Sequence, residues 1–260
     1  MKYSYDFYSH EAIVRDYLVY DAANLDYGEL LMLDTTATEP GRFVTAYNAT
    51  AANQAINAIG ILNEKTYESG GTTPDTATGS GGQYGKIIIN PFAIYKVEHS
   101  LAAADDVAIT STSTTTLTVP SLQDNIDFNW VYFPLTQVGV KGSLRLITAS
   151  ASGSCTMDSA LVTTGGGSDT VVVIAAPGQY SLPLTAAAKV VASGDCQTQL
   201  KAATNIRILE TFIDRDQGLE PMKPGIHKGL NNLDKVKGGN GPKFYYKIML
   251  KDHVFGVQES

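Results

Sequence analysis

The stretch SGGQYGKIIIN at residues 80–90 sets a glycine cluster before Gly85-Lys86, the residue types that cradle phosphate in nucleotide-binding loops. That chemistry needs Gly-x-x-x-x-Gly-Lys-Ser/Thr between a strand and a helix, because the loop amides and helix N-terminus hold the phosphates and the hydroxyl holds magnesium. Ser80 stands at the first glycine position, Ile87 follows Lys86, and the β-branched run ends at Pro91. The dinucleotide pattern GxGxxG breaks too, with Tyr84 where the third glycine belongs after Gly79 and Gly81. The stretch reads as a loop leading into a strand.

Other reactive residue types lack the spacing that chemistry requires. The segment DRDQGLE at 214–220 opens as Asp-x-Asp-x-Gly, but a calcium EF-hand wants glycine at its sixth position and glutamate at its twelfth, where Gly225 stands. A polar turn is the expectation there. His10, His99, His227 and His253 show no spacing that puts two imidazoles on one face, and Cys155 and Cys196 form no CxxC pair. GxSxG is absent, so Ser154 is no nucleophile elbow and its surroundings read as a β-turn; Asp105-Asp106 suits a solvated turn. No catalytic residue, cofactor or metal ion is expected, and the chain is not read as an enzyme.

The elements that would position any site are strands. Apolar runs are short, rich in Val, Ile, Thr, Tyr and Phe, and bounded by Gly, Pro, Asn or Asp. They predict strands at 17–20, 29–34, 42–47, 58–63, 86–90, 93–99, 116–119, 130–133, 143–149, 170–175, 206–213, 244–250 and 253–257. Helix is confined to two short candidates, 184–192 and 195–203, neither with a long amphipathic period. Trp130, Tyr132 and Phe133 alternate as core residues do, which outweighs a stacking platform for glycans.

Composition narrows the function classes. Nineteen Lys+Arg against 26 Asp+Glu leave a net charge of -7 without a basic block, which disfavours direct nucleic-acid binding. Charged residues make up only 17% of the 260, so the surface is neutral and polar, suited to packing against copies or a partner. No segment has the apolar length of an export signal or a membrane span, and the cysteine pattern fits thiols made in a reducing compartment.

Two composition shifts mark boundaries, the Gly/Thr/Ser stretch 69–85 and the Gly- and Pro-studded stretch 214–243. The expected organisation is an N-terminal arm at 1–15, a β domain of 16–99 completed by 244–260, an inserted sandwich- or barrel-like β domain at 100–213, and an irregular connection at 214–243. The arm carries Tyr3, Tyr5, Phe7 and Tyr8, then His10 and Ile13. Such an aromatic arm either returns to its own core or lies across a neighbour, and the second reading makes these six residues the candidate partner interface.

Residues 21–64 resemble the head decoration proteins of tailed bacteriophages. The likeness rests on GELLMLD at 28–34, a G-x-L-L-x-x-D strand, and AIGILNE at 58–64, an A-x-G-I-L-x-E segment. Leu30 to Leu33 reads as a buried strand, and Gly60 as a bulge or a close backbone approach. NPFAIYKVEHS, NIDFNWVYF, GSLRLITASASG and YYKIMLKDHVFGV look like phrases of phage virion proteins more broadly. The family's minimal members lack a counterpart to residues 100–243. The resemblance implies a non-enzymatic cement protein on the outer capsid surface of a virion, commonly a homotrimer, that clamps major capsid protein subunits through its arms. Another virion part, such as a tail-tube or head-completion protein, and a glycan-binding β module are the alternative readings.

Overall fold

The computed structural model describes residues 2–6, 11–19, 30–33, 43–46, 58–66, 83–99, 101, 107–109, 111–119, 128–134, 140–151, 153–163, 169–178 and 206–250. The protein is mainly β, and the 3-10 segment Leu233–Gly239 is the sole helical element among the described residues. The helix candidates at 184–192 and 195–203, and the strand expected at 253–257, lie outside them. Two compact units divide the chain: Met1–Val97 with Val191–Arg207 and Lys247–Ser260, and Glu98–Val190 with Ile208–Tyr246.

The first unit holds a closed five-stranded barrel. Its strands are β2 (Val14–Val19), β3 (Leu30–Leu33), β4 (Phe43–Ala46), β5 (Ala58–Thr66) and β6 (Gln83–Ile88), following β1 (Lys2–Asp6) in the chain. Around the barrel the order is β2-β4-β3-β5-β6, with β2 and β4 parallel and every other pair antiparallel. Closure leaves these strands no open edge, and alternate side chains fill the interior. Leu31, Ile59, Leu62 and Ile87 form that core, with Tyr17, Leu33 and Ile89 packed against it.

Gly60 sits where β5 presses on β6. Its φ is 147°, and a Cβ built there would lie 1.8 Å from the Ile88 carbonyl oxygen. Only glycine lets the two backbones approach this closely. Next to it the β3–β5 register slips by one residue, with Leu31 opposite Gly60 and Met32 opposite Ala58.

The arm expected over 1–15 is in part an element of this unit. β1 pairs antiparallel with β7 (Ala93–His99, whose last two residues belong to the second unit), from Lys2 opposite Lys96 to Asp6 opposite Ala93. Residues 11–13 are then fastened by Asn90, itself 1% exposed. Asn90 Oδ1 accepts the Ile13 N–H at 2.5 Å, its Nδ2 donates to the Glu11 carbonyl at 3.0 Å, and the Ile89 N–H donates to the Ile13 carbonyl at 2.9 Å. A partner strand on the same chain satisfies the backbone without the translational and rotational entropy a neighbour would cost.

The second unit is built on an open seven-stranded antiparallel sheet, whereas the closed barrel lies in the first. Its strands are β8 (Val107–Ala108), β9 (Ser111–Thr112), β10 (Thr116–Thr118), β11 (Trp130–Tyr132), β12 (Leu144–Ala151), β13 (Ser154–Met157) and β14 (Thr170–Ile174), in the order β8-β14-β11-β12-β13-β10-β9. β11 is buried at every position, and Trp130, Tyr132 and Phe133 are core residues with no exposure. The hairpin of β15 (Ile206–Arg215) and β16 (Gly218–Pro221), and the first half of β17 (Lys243–Leu250), complete the unit.

The stretch 214–243, expected as a connection, is instead an integral part of this second unit. Leu144 and Leu230 exchange backbone hydrogen bonds at 2.9 and 3.0 Å, the Leu233 N–H reaches the Gly142 carbonyl at 3.0 Å, and Trp130 Nε1 donates to the His227 carbonyl at 2.6 Å. Its glycines and prolines, which look like a linker in sequence, shape turns that meet β11 and β12.

Candidate functional site

Four polar clusters of the second unit gather groups able to do chemistry, and each is held by internal hydrogen bonds. In the first, Glu220 on β16 accepts from Arg215 at the end of β15 and pairs with His227 Nε2 at 2.7 Å. His227 Nδ1 accepts the Lys223 N–H at 2.9 Å, so the neutral ring carries its proton on Nε2 and gives it to Glu220. With both nitrogens committed, the imidazole has no lone pair left for a general base. The Arg215 hydrogen bond, with a smaller contribution from His227, holds the Glu220 carboxyl below its usual range.

The second cluster settles the Asp-x-Asp-x-Gly segment. Lys237 Nζ donates to Asp214 Oδ2 at 2.6 Å and the Lys237 N–H to Asp216 Oδ1 at 2.5 Å. An ammonium thus sits where a bound cation would be, and these contacts hold Lys237 at the left-handed φ of 51°. Among the described residues no three His, Cys, Asp or Glu side chains gather as a metal site.

The third cluster is buried around Tyr246 on β17. Its hydroxyl accepts the Ala175 N–H at 3.1 Å, which leaves the hydroxyl proton for His99 Nδ1 at 2.9 Å. Burial pushes the phenol strongly upward, so it stays a neutral hydrogen-bonding group. Nearby, Thr211 Oγ1 donates to the Ala175 carbonyl at 2.7 Å.

The fourth centres on Arg145 of β12, 1% exposed. Nη1 donates to the Leu144 and Leu230 carbonyls at 2.9 and 2.7 Å, and Nη2 to the Ala160 carbonyl and Asn231 Oδ1 at 3.0 and 2.8 Å. Desolvation lowers its pKa, opposed by the nearby Asp158 carboxylate. The planar fork ties three chain segments together, a structural use of a buried cation. Composition gave no hint of it, because a lone arginine in GSLRLITAS reads as a solvated strand position.

The six candidate interface residues separate. Tyr3 and Tyr5 lie on β1, opposite Tyr95 and Ile94 of β7. Ile13 is 40% exposed beside the Asn90 clamp. Phe7, Tyr8 and His10 lie outside the described residues, as do His253 and Cys196. Gly85 and Lys86 lie inside β6, Lys86 opposite both Asp16 and Glu64, so the strand expected from Lys86 begins at Gln83 instead, and 83–85, expected as the end of a loop, belong to the barrel, where pairing with β2 and β5 overrides the local glycine. Cys155 is buried in β13, and its burial pushes the thiol up to about 11.

One open cleft is lined by charge. Lys141, Asp234, Lys235, Gly238 and Gly239 border about 430 Å³ where the turn before β12 meets the 3-10 segment. Gly142, at φ 71°, is held so tightly under Asp234 that an added Cβ would fall 2.4 Å from the Asp234 nitrogen. No helix among the described residues is long and apolar enough to cross a membrane. The chain matches no known family model, no curated protein and no solved structure.

Proposed function

We propose that this protein decorates the outer surface of a tailed-phage head and stabilises it by clamping adjacent major capsid protein subunits, acting as a homotrimer and without catalysis. The observation that carries this reading is where the phage-like residues fall. GELLMLD and AIGILNE supply β3 and β5, neighbouring strands of the closed barrel, and the glycine on which the likeness depends is the one that the β5–β6 contact requires. A sparsely charged polar surface and polar clusters held by internal hydrogen bonds fit a protein whose work is mechanical. Tyr3, Tyr5 and Ile13, with Phe7, Tyr8 and His10, are the proposed contact residues for the capsid.

The test is co-sedimentation of the full-length chain with purified capsids of the cognate phage lacking it. Saturable binding, weakened when Tyr3, Tyr5 and Ile13 are replaced together by serine, is expected. Failure of the unaltered chain to sediment with capsids would contradict the reading, and undiminished binding of the triple variant would contradict the interface.

A further inference from the structure

The cleft between Lys141 and the 3-10 segment has the makings of a ligand site. Its lining has no aromatic or aliphatic side chain: two lysines, one aspartate and two glycines border it. It encloses about 430 Å³ open to solvent, with Lys141, Lys235, Gly238 and Gly239 all exposed. A Cβ added to Gly238 or Gly239 would meet nothing within 4 Å, so that wall is open backbone. The cleft is also a built feature, since the Leu233 N–H bond to the Gly142 carbonyl and the glycine-only fit of Gly142 under Asp234 fix its two sides together.

Two ammonium groups call for an anion, and the carboxylate beside them repels a bare one. The combination selects a ligand that places an anionic group on the lysines while giving hydrogen-bond donors to Asp234. We propose that this cleft binds a small hydroxylated carboxylate of the acidic-sugar class, with Lys141 and Lys235 on its carboxylate and Asp234 on its hydroxyls. A lipid or an aromatic ligand would find no apolar wall here.

Titration of the full-length protein with glucuronate, followed by amide chemical shifts, tests the assignment, with glucose and acetate as controls. Glucuronate should give saturable shifts at 141–142 and 234–239, with glucose and acetate at least about tenfold weaker because each supplies half of the contacts. Lys141→Gln with Lys235→Gln should weaken glucuronate about tenfold or more, and Asp234→Asn should remove its advantage over acetate. Asp234→Asn keeps side-chain size and the lysine-to-glutamine changes shorten exposed side chains, and unchanged thermal unfolding checks that the fold is intact. Absence of saturable shifts with glucuronate, equal binding of acetate, or indifference to the lysine substitutions would each overturn the proposal.

Discussion

At the scale of the residue, Gly60, Arg145 and Cys155 each commit the fold in a way that a single substitution exposes. Gly60→Ala forces a Cβ into the Ile88 carbonyl and should cost about 3 kcal/mol, read as a lowered denaturant midpoint. Arg145→Ala removes a buried guanidinium and the four hydrogen bonds it makes, and should cost at least about 3 kcal/mol; Arg145→Lys should not rescue it because an ammonium cannot reproduce the fork. Cys155 gives a pH test. Its thiol is raised in the folded state from 9.0 to about 11, so the native state holds a proton the unfolded chain has lost. That contribution is complete below pH 9 and is lost as pH rises towards 11, worth about 3 kcal/mol. Cys155→Ala should flatten the fall in unfolding free energy between pH 8 and 11; an unchanged slope would contradict the assignment.

At the scale of the element, the apolar runs made most strands legible and the polar ones hid the rest. Leu30–Leu33, Ala93–His99, Trp130–Tyr132 and Thr170–Ile174 announce themselves through branched and aromatic residues. Ser154–Met157 does not: SCTM follows a glycine and reads as a turn, yet Cys155 and Met157 point inward at a period of two, and Gly153 at φ 77° precedes it. Gly218–Pro221 is masked by its glycine and proline, both tolerable on a short strand after a tight turn. Lys2–Asp6 looks like an arm because nothing local says which strand edge will receive it. The Asn90 clamp, whose partners lie 77 and 79 residues away, is equally invisible in a local pattern. Asn90→Ala should cost about 2 kcal/mol and unprotect the amides of Ile13 and Ile89 in hydrogen exchange before those of the barrel. Retained protection would show that β2 holds the segment unaided.

At the scale of the whole molecule, the chain forms two β units, and the polar clusters lie in the second. The class was legible from composition and strand pattern, whereas the Tyr246 and Arg145 clusters were not, because they join segments far apart in sequence. The β15–β16 hairpin brings Arg215 to Glu220, the loop after β16 brings His227 to it, and Lys237 meets Asp214 only after the 3-10 segment brings it back. The proposed decoration role requires a place on the capsid in many copies. Quantitative mass spectrometry of purified virions of the phage encoding this chain measures it directly, as the ratio of this protein to the major capsid protein. Capsid decoration predicts a ratio of the same order as the major capsid protein and its loss when surface proteins are stripped from intact heads. A few copies per particle, or none, would contradict it.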